Sequence, residues 1–241
     1  MKKKILIFIP AFNVGRKIYS VIDRIPKSIF LKDNIEILII NDFSTDNTLS
    51  EIKKILIDFD YNIKIHNTKS QLQYGGVQKF AFNYSLKNSY EYVIMLHGDG
   101  QYAPEELPRF IKEFDNKRID AVFGSRMKSY GDALKGGMPI YKFLGNIFLT
   151  FIQNVILNSK ISEFHSGYRS YKVSSLKRLN YEKFATYYHF DTEIIIEILK
   201  KNLNLIEIFI PTYYGDEISH LKSIPYGFKV LFTTIKSKFQ K

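Results

Sequence analysis

Cysteine is absent from the 241-residue chain. That excludes disulfides and thiolate metal sites, and it gives no sign of an oxidising compartment. Acidic side chains are scarce relative to basic ones: 24 Asp plus Glu stand against 35 Lys plus Arg, for a formal charge of +11. The excess suits an anionic partner such as a nucleotide, a nucleic acid or an acidic membrane surface, although a Lys-, Ile- and Asn-rich chain also carries such charge on a plain solvated face. Long apolar runs are missing as well. No stretch of roughly 18 residues is free of charge or amide, so no transmembrane helix is expected. The opening MKKKILIFIP has only Ile5 to Ile9 before Pro10, too short for a signal-peptide core, and no small-x-small cleavage site follows. No internal repeat, low-complexity tract or Gly/Ser linker marks a boundary, and one compact unit over residues 1–241 is expected.

What is present is 45% hydrophobic, enough for a substantial core. Short apolar runs at Ile5 to Ile9, Ile35 to Ile40, Ile63 to Ile65, Tyr92 to Leu96 and Ala121 to Phe123 alternate with segments of helical period near 14–25, 46–57, 75–88 and 104–115. This alternation is that of an α/β fold, a Rossmann-like, mostly parallel sheet flanked by helices, whose ligands bind beyond the carboxyl ends of the strands. Polar clusters sit at those ends: Asn13, Asn41 and Asp42, His97 to Gln101, and Ser125 with Arg126. The C-terminal half holds two amphipathic helices. In IYKFLGNIFLTFIQNVIL one stripe collects Ile140, Phe143, Leu144, Ile147, Phe148, Phe151, Ile152, Val155 and Ile156. Pattern alone favours an ordinary core-facing helix here, with a helix lying on a bilayer or lining a lipid groove as the alternative. The second, YGFKVLFTTIKSKFQK, has a basic side and suits an anionic lipid surface.

A nucleotide-sugar bound at the strand ends would call for such polar residues where its sugar to phosphate bond breaks, although a Gly-rich turn with a solvent-facing Asp would show the same Gly98-Asp99-Gly100 on its own. Charge builds on the departing diphosphate, which calls for a divalent cation on oxygen ligands with cationic groups nearby. Asp99 offers a carboxylate, Gln101 an amide oxygen, and His97 a ring nitrogen for a metal or a hydrogen bond to a ribose or phosphate oxygen. Asp42 suits a nucleobase imide or ribose hydroxyl. Asp46 reads as a helix cap. Gly75 and Gly76 lie at a helix mouth, where backbone amides favour anions.

With IPAFN (Ile9 to Asn13), INDFSTD (Ile40 to Asp46), YGG (Tyr74 to Gly76), HGDGQYAPEEL (His97 to Leu107), GSRM (Gly124 to Met127), SGYRSYK (Ser166 to Lys172) and FDTEI (Phe190 to Ile194) in this order, residues 3–217 resemble glycosyltransferase family 2. Within it the chain is similar to the dolichyl-phosphate mannose and glucose synthase branch. The resemblance implies a GT-A fold, a nucleotide-diphosphate sugar donor, Mg2+ or Mn2+, and inversion by direct displacement. Pro10, Ala11, Asn13 and Asp42 then match donor-base and ribose positions, while Asp99 and Gln101 match the metal and diphosphate positions. Arg126 matches the basic residue facing a diphosphate or acceptor phosphate, and Ser166, Gly167 and Arg169 the acceptor-side loop. Residues 1–126 would form the donor half and 127–241 the acceptor half. Two departures stand out: His97-Gly98-Asp99 where the family usually has Asp-Gly-Asp, and Asn41-Asp42-Phe43 where it usually has Asp-Asp-Gly. In each the second acid is retained, so an active enzyme is expected.

A polyprenyl phosphate acceptor is already anionic and needs no general base, so Arg126, Lys142 and Arg169 would only hold it. A saccharide hydroxyl needs a base, for which Asp191 and Glu193 come first, then Asp216 and Glu217. His165 and His220 read mainly as structural. Peripheral contact with an anionic membrane from the cytoplasmic side is expected, with the oligomeric state open. A catalytically weak nucleotide-sugar binder, through His97, is the alternative. A nucleotidyltransferase is disfavoured because IPAFNVGRK lacks a Gly-rich phosphate loop, and nucleic-acid binding because the basic residues are dispersed.

Overall fold

The structure, a computed structural model, describes residues 2–215 and 223–239. Asp216, Glu217 and His220 lie outside the described residues. Seven strands, β1 (Lys4–Ala11), β2 (Asn34–Asn41), β3 (Ile63–Asn67), β4 (Tyr92–Met95), β5 (Ala121–Ser125), β6 (Arg169–Lys172) and β7 (Leu205–Phe209), form one sheet in the order β3-β2-β1-β4-β6-β5-β7. All neighbours run parallel except β6, which is antiparallel to both β4 and β5. The helices are α1 (Ile18–Asp23), α2 (Ser28–Lys32), α3 (Thr48–Asp58), α4 (Gln73–Lys87), α5 (Leu107–Glu113), α6 (Tyr130–Lys135), α7 (Ile140–Leu157), α8 (Val173–Leu176), α9 (Phe190–Lys200) and α10 (Ser223–Phe239). The five expected strands are present; β6 and β7 are additional.

The central strands are apolar on both faces because both are covered. Alternate residues point to opposite sides. Ile5, Ile7 and Ile9 of β1, with Ile37 and Ile39 of β2 and Ile94 of β4, pack under α1, α3 and α5. Leu6 and Phe8, with Leu38, Val93 and Met95, pack against α4, α8 and α9. Phe82 of α4 is central to this second layer, its ring meeting those of Phe8, Tyr171, Tyr181 and Phe190.

Helix α7 reverses the expectation of a core-facing apolar stripe. Its buried residues are Asn146, Thr150 and Gln153, and each is hydrogen-bonded inside the fold. Ile140, Leu144, Phe148, Phe151 and Val155 are exposed instead. Phe143 and Ile147 of the stripe do pack inward, against Met127, Ala133 and Met138, but its exposed members face outward because polar partners wait on the inner side: Glu163 for Asn146, Thr234 for Gln153, and the Ile161 carbonyl for Asn154. By length and composition α7 also meets the requirement for crossing a membrane, which the criterion of uninterrupted apolar residues did not anticipate. Helix α10 packs against α7 and α9 through Val230, Thr234 and Ser237, leaving Phe228, Phe232, Ile235 and Phe239 exposed.

Because Phe82 is fully buried among four rings, Phe82→Ala is expected to destabilise the protein by about 3–5 kcal/mol. Urea unfolding would show a lowered midpoint at unchanged m-value.

Candidate active site

The strand ends open into one cleft of about 640 Å³. Pro10, Ala11 and Phe12 from the end of β1, Asp42 from β2, and His97, Asp99 and Gln101 after β4 line one part of it. Arg126 lies past β5, while Lys142, Gly145 and Asn146 of α7 and Tyr226 and Gly227 of α10 line the other part. Donor-side and acceptor-side candidates therefore share a single space.

Asp42 has a structural task as well. Its Oδ1 accepts the Leu72 N–H at 2.6 Å and the Thr68 hydroxyl at 3.3 Å, and Oδ2 accepts the Gln73 N–H at 2.9 Å. The carboxylate thus sits on the positive N-terminus of α4, taking the place expected for a ligand anion at that helix mouth. Gly75 and Gly76 do not line the cleft. A Cβ at Gly75 would lie 2.5 Å from the Ala185 carbonyl oxygen, so glycine there lets α4 close on that segment. Asn13, with φ of +53°, accepts the Thr45 N–H at 2.9 Å and stitches the first two strand ends together behind the cleft.

His97 stands between the rings of Tyr74 and Tyr102, at 5.9 and 5.0 Å between centroids. Its Nε2 is buried without a hydrogen-bond partner among the described residues, against Gly167, where a Cβ would come within 2.6 Å of it. Gly167 donates its N–H to the Tyr102 hydroxyl at 2.7 Å, so the acceptor-side loop closes directly over this histidine. Asp99 is differently placed: Oδ1 accepts the Gln101 N–H at 3.0 Å, and Oδ2 has no donor among the described residues.

Arg126 is nearly spent. Its Nε and Nη2 grip Glu163, Nη2 also reaches the His165 carbonyl, and Nη1 reaches the Tyr214 hydroxyl. Of the five guanidinium N–H groups, one on Nη1 remains for the cleft. Burial would push the Glu163 carboxyl up, but the adjacent Arg126 charge holds it below the usual carboxylate range. Lys142 lies with its Nζ 4.9 Å from the centre of the Tyr214 ring.

Several candidates fall beneath or outside the cleft. Arg169, expected to hold an acceptor, is fully buried, and its guanidinium donates to the carbonyls of Phe164, Ser166 and Asp191. It clamps the acceptor-side loop from below. Ser166 is buried and contributes its carbonyl to that clamp. Asp191 does line the cleft, but it accepts from Tyr74 at 2.8 Å and Gln78 at 3.0 Å and lies 3.6 Å from Arg169. Glu193 accepts the Ala185 N–H at 2.6 Å and is not part of the lining. The residues that the motifs did not single out are mainly tyrosines, Tyr102, Tyr188, Tyr214 and Tyr226, together with Glu163. Glu163 precedes the SGYRSYK motif by three positions, and its only sequence signal is an acid in an otherwise apolar and polar-neutral run.

Burial pushes the His165 imidazole down to about 4, while its Nδ1 lies 3.1 Å from the Tyr226 hydroxyl. An unfolded histidine titrates near 6.5, so between these values the unfolded chain takes up a proton that the folded chain refuses. The associated stability is present above about pH 6.5 and is lost as pH falls toward 4. Denaturant melts across this interval should show a decline of up to about 3 kcal/mol that His165→Gln largely removes.

The family model for Glycosyl transferase family 2 matches residues 6–179. A UDP-N-acetylglucosamine–dolichyl-phosphate N-acetylglucosaminyltransferase of Methanococcus voltae is 28% identical, covering 99% of this chain and 98% of its own. A polyprenol monophosphomannose synthase of Mycolicibacterium smegmatis is 20% identical, over 86% of this chain and 76% of its own. Among solved structures, glucosyl-3-phosphoglycerate synthase from Mycobacterium tuberculosis, in complex with Mn2+, UDP and phosphoglyceric acid, superposes with a TM-score of 0.70 at 16% identity, covering 99% of this chain and 79% of that one. The mostly parallel sheet with helices on both faces is the GT-A arrangement. With the family model spanning well over half of the chain, the protein belongs to glycosyl transferase family 2 and is a glycosyltransferase.

Proposed function

We propose that the protein moves a sugar from a nucleoside-diphosphate donor to a polyprenyl phosphate at the cytoplasmic face of a membrane, with inversion at the sugar carbon. The observation that carries this reading is the continuity of the cleft. It runs from Asp42 and Asp99 to α7 and α10, whose outward faces are apolar. A ligand with a charged head and an apolar tail can set its head in this cleft and its tail along those outer faces, which a free saccharide would leave unused. Relatives whose names specify dolichyl phosphate and undecaprenyl phosphate support the same acceptor class. Residues 1–126 serve as the donor half and 127–241 as the acceptor half.

The acids of the cleft agree. Among the described residues lining it, Asp42 is bound to the start of α4, Asp191 is bound to Tyr74 and Gln78, and Asp99 alone has an oxygen without a protein donor. None is placed as a free base, and a phosphate oxygen that is already ionised needs none. Asp42, on the donor side, orients the nucleoside. Arg126 and Lys142 meet the acceptor's phosphate, balancing its charge as it attacks.

Asp99 also tests whether a divalent cation suits the site. No three His, Cys, Asp or Glu among the described residues could hold one unaided. One open carboxylate beside an amide fits a hard cation whose other ligands are phosphate oxygens. Asp99 and Gln101 would hold Mg2+ or Mn2+, which when bound neutralises charge on the leaving diphosphate. His97, with Nε2 turned under Gly167, is better placed to support the acceptor-side loop than to ligate.

A panel of UDP- and GDP-sugars with polyprenyl phosphate or free saccharide acceptors, with and without Mn2+ or Mg2+, tests the reading. Transfer to the lipid phosphate is expected, falling at least 100-fold in Asp99→Ala. Donor binding with no transfer to any acceptor would leave only a nucleotide-sugar binder.

The exposed aromatic residues of α7 and α10, with Lys236 and Lys238 beside them, suit shallow insertion into an anionic bilayer. Sedimentation with phosphatidylcholine–phosphatidylglycerol vesicles should show binding that drops about tenfold or more in Phe148→Ser/Phe232→Ser, since burying each ring contributes roughly 1.5–3 kcal/mol. Equal recovery of wild type and variant with the vesicles would count against this surface.

A further inference from the structure

Glu163 lies outside the cleft and is 1% exposed, yet it joins the two walls that carry the acceptor-side cations. Toward β5, its Oε2 accepts the backbone N–H of Arg126 at 2.6 Å and its Oε1 accepts Nε at 3.0 Å, with Nη2 on the same oxygen. Toward α7, Oε1 accepts the amide N–H of Asn146 at 2.8 Å. That amide is held in orientation from behind, because the Thr150 hydroxyl donates to its Oδ1 at 3.1 Å. Lys142 and Asn146 are four residues apart on α7, and so one above the other on the same face. Whatever fixes Asn146 therefore fixes the base of Lys142.

Both cations also face one ring. The guanidinium carbon of Arg126 lies 5.9 Å and the ammonium of Lys142 lies 4.9 Å from the centre of Tyr214. A phosphate received between them depends on their separation, which neither side chain sets alone. Glu163 is the only described residue bonded to both Arg126 and α7's Asn146.

Building on the polyprenyl-phosphate reading, we propose that Glu163 is a positioning residue that sets the spacing of Arg126 and Lys142, holding the first directly and the second through Asn146. It touches neither donor nor acceptor. Its effect reaches the reaction through where those two cations stand, so it should act on acceptor binding and leave donor binding almost alone.

The experiment is a steady-state comparison of wild type, Glu163→Gln and Thr150→Val, with the donor that the wild type turns over and a short-chain polyprenyl phosphate in detergent micelles. Inorganic phosphate is titrated as a competitor in parallel. Glu163→Gln removes the anion that gathers Arg126 and Asn146; Thr150→Val only frees the Asn146 amide to turn, and it remains informative if Glu163→Gln does not fold. Expected is a rise in acceptor KM of about tenfold for Glu163→Gln and about threefold for Thr150→Val. The donor KM should stay within twofold, and the phosphate inhibition constant should rise in step with the acceptor KM. Acceptor KM unchanged in the folded variants would overturn the inference while leaving the function intact. Donor and acceptor KM rising by the same factor would reduce Glu163 to a structural countercharge. No transfer by the wild type to any polyprenyl phosphate would overturn the acceptor reading itself and the inference with it.

Discussion

A charge withdrawn from water has to be met by an opposite charge or by fixed dipoles, and the floor of this active site is built from three such meetings. Arg126 is met by Glu163, Arg169 by the Asp191 carboxylate and three backbone carbonyls, and Asp42 by the first amides of α4. Each joins elements far apart in sequence. Together they tie the ends of β2 and β5 to α4, α7, α9 and the loop before β6, so the cleft's shape is held by groups that would be unstable if it opened. Removing one partner leaves the other buried and unpaired, which is costlier than losing a surface pair.

These pairs also explain how far the sequence could be read. The central strands β1, β2 and β4 were legible because a parallel strand covered on both sides must be a continuous apolar run, and Ile5 to Ile9 or Ile35 to Ile40 can scarcely be anything else. Strand β6 was not, since Arg169-Ser170-Tyr171-Lys172 looks like a polar loop; Arg169 enters the sheet only because a carboxylate and carbonyls are waiting for it. The same blindness to partners put Arg169 in the acceptor site and Glu193 among the candidate bases. Asp42 and Asp99 line the cleft because each follows a strand's carboxyl end, a position the pattern itself marks.

Helix α7 shows a different limit. Its period was plain, and the side it presents to the protein was not. An amphipathic pattern gives a direction around the helix without saying which medium lies on which side. Here Asn146, Thr150 and Gln153 found partners inside, so much of the apolar stripe was left for the outside. That inversion, invisible in the period, turned an ordinary-looking core helix into the feature that most favours a lipid-bearing acceptor.

The antiparallel β6, inserted between β4 and β5, gives the chain an uneven tolerance to changes in length. Arg169 pairs with both Met95 and Phe123 across its two neighbours, and alternate residues of β6 face opposite layers. One residue gained or lost between Glu163 and Arg169 would have to bulge there or exchange Arg169 with Tyr168 or Ser170, sending the buried guanidinium to the wrong side of the sheet. The turn that leads into α6, some forty residues earlier and outside the sheet, carries no such arithmetic. Divergence in chain length among proteins built on this plan should therefore collect before α7 and be nearly forbidden just before β6.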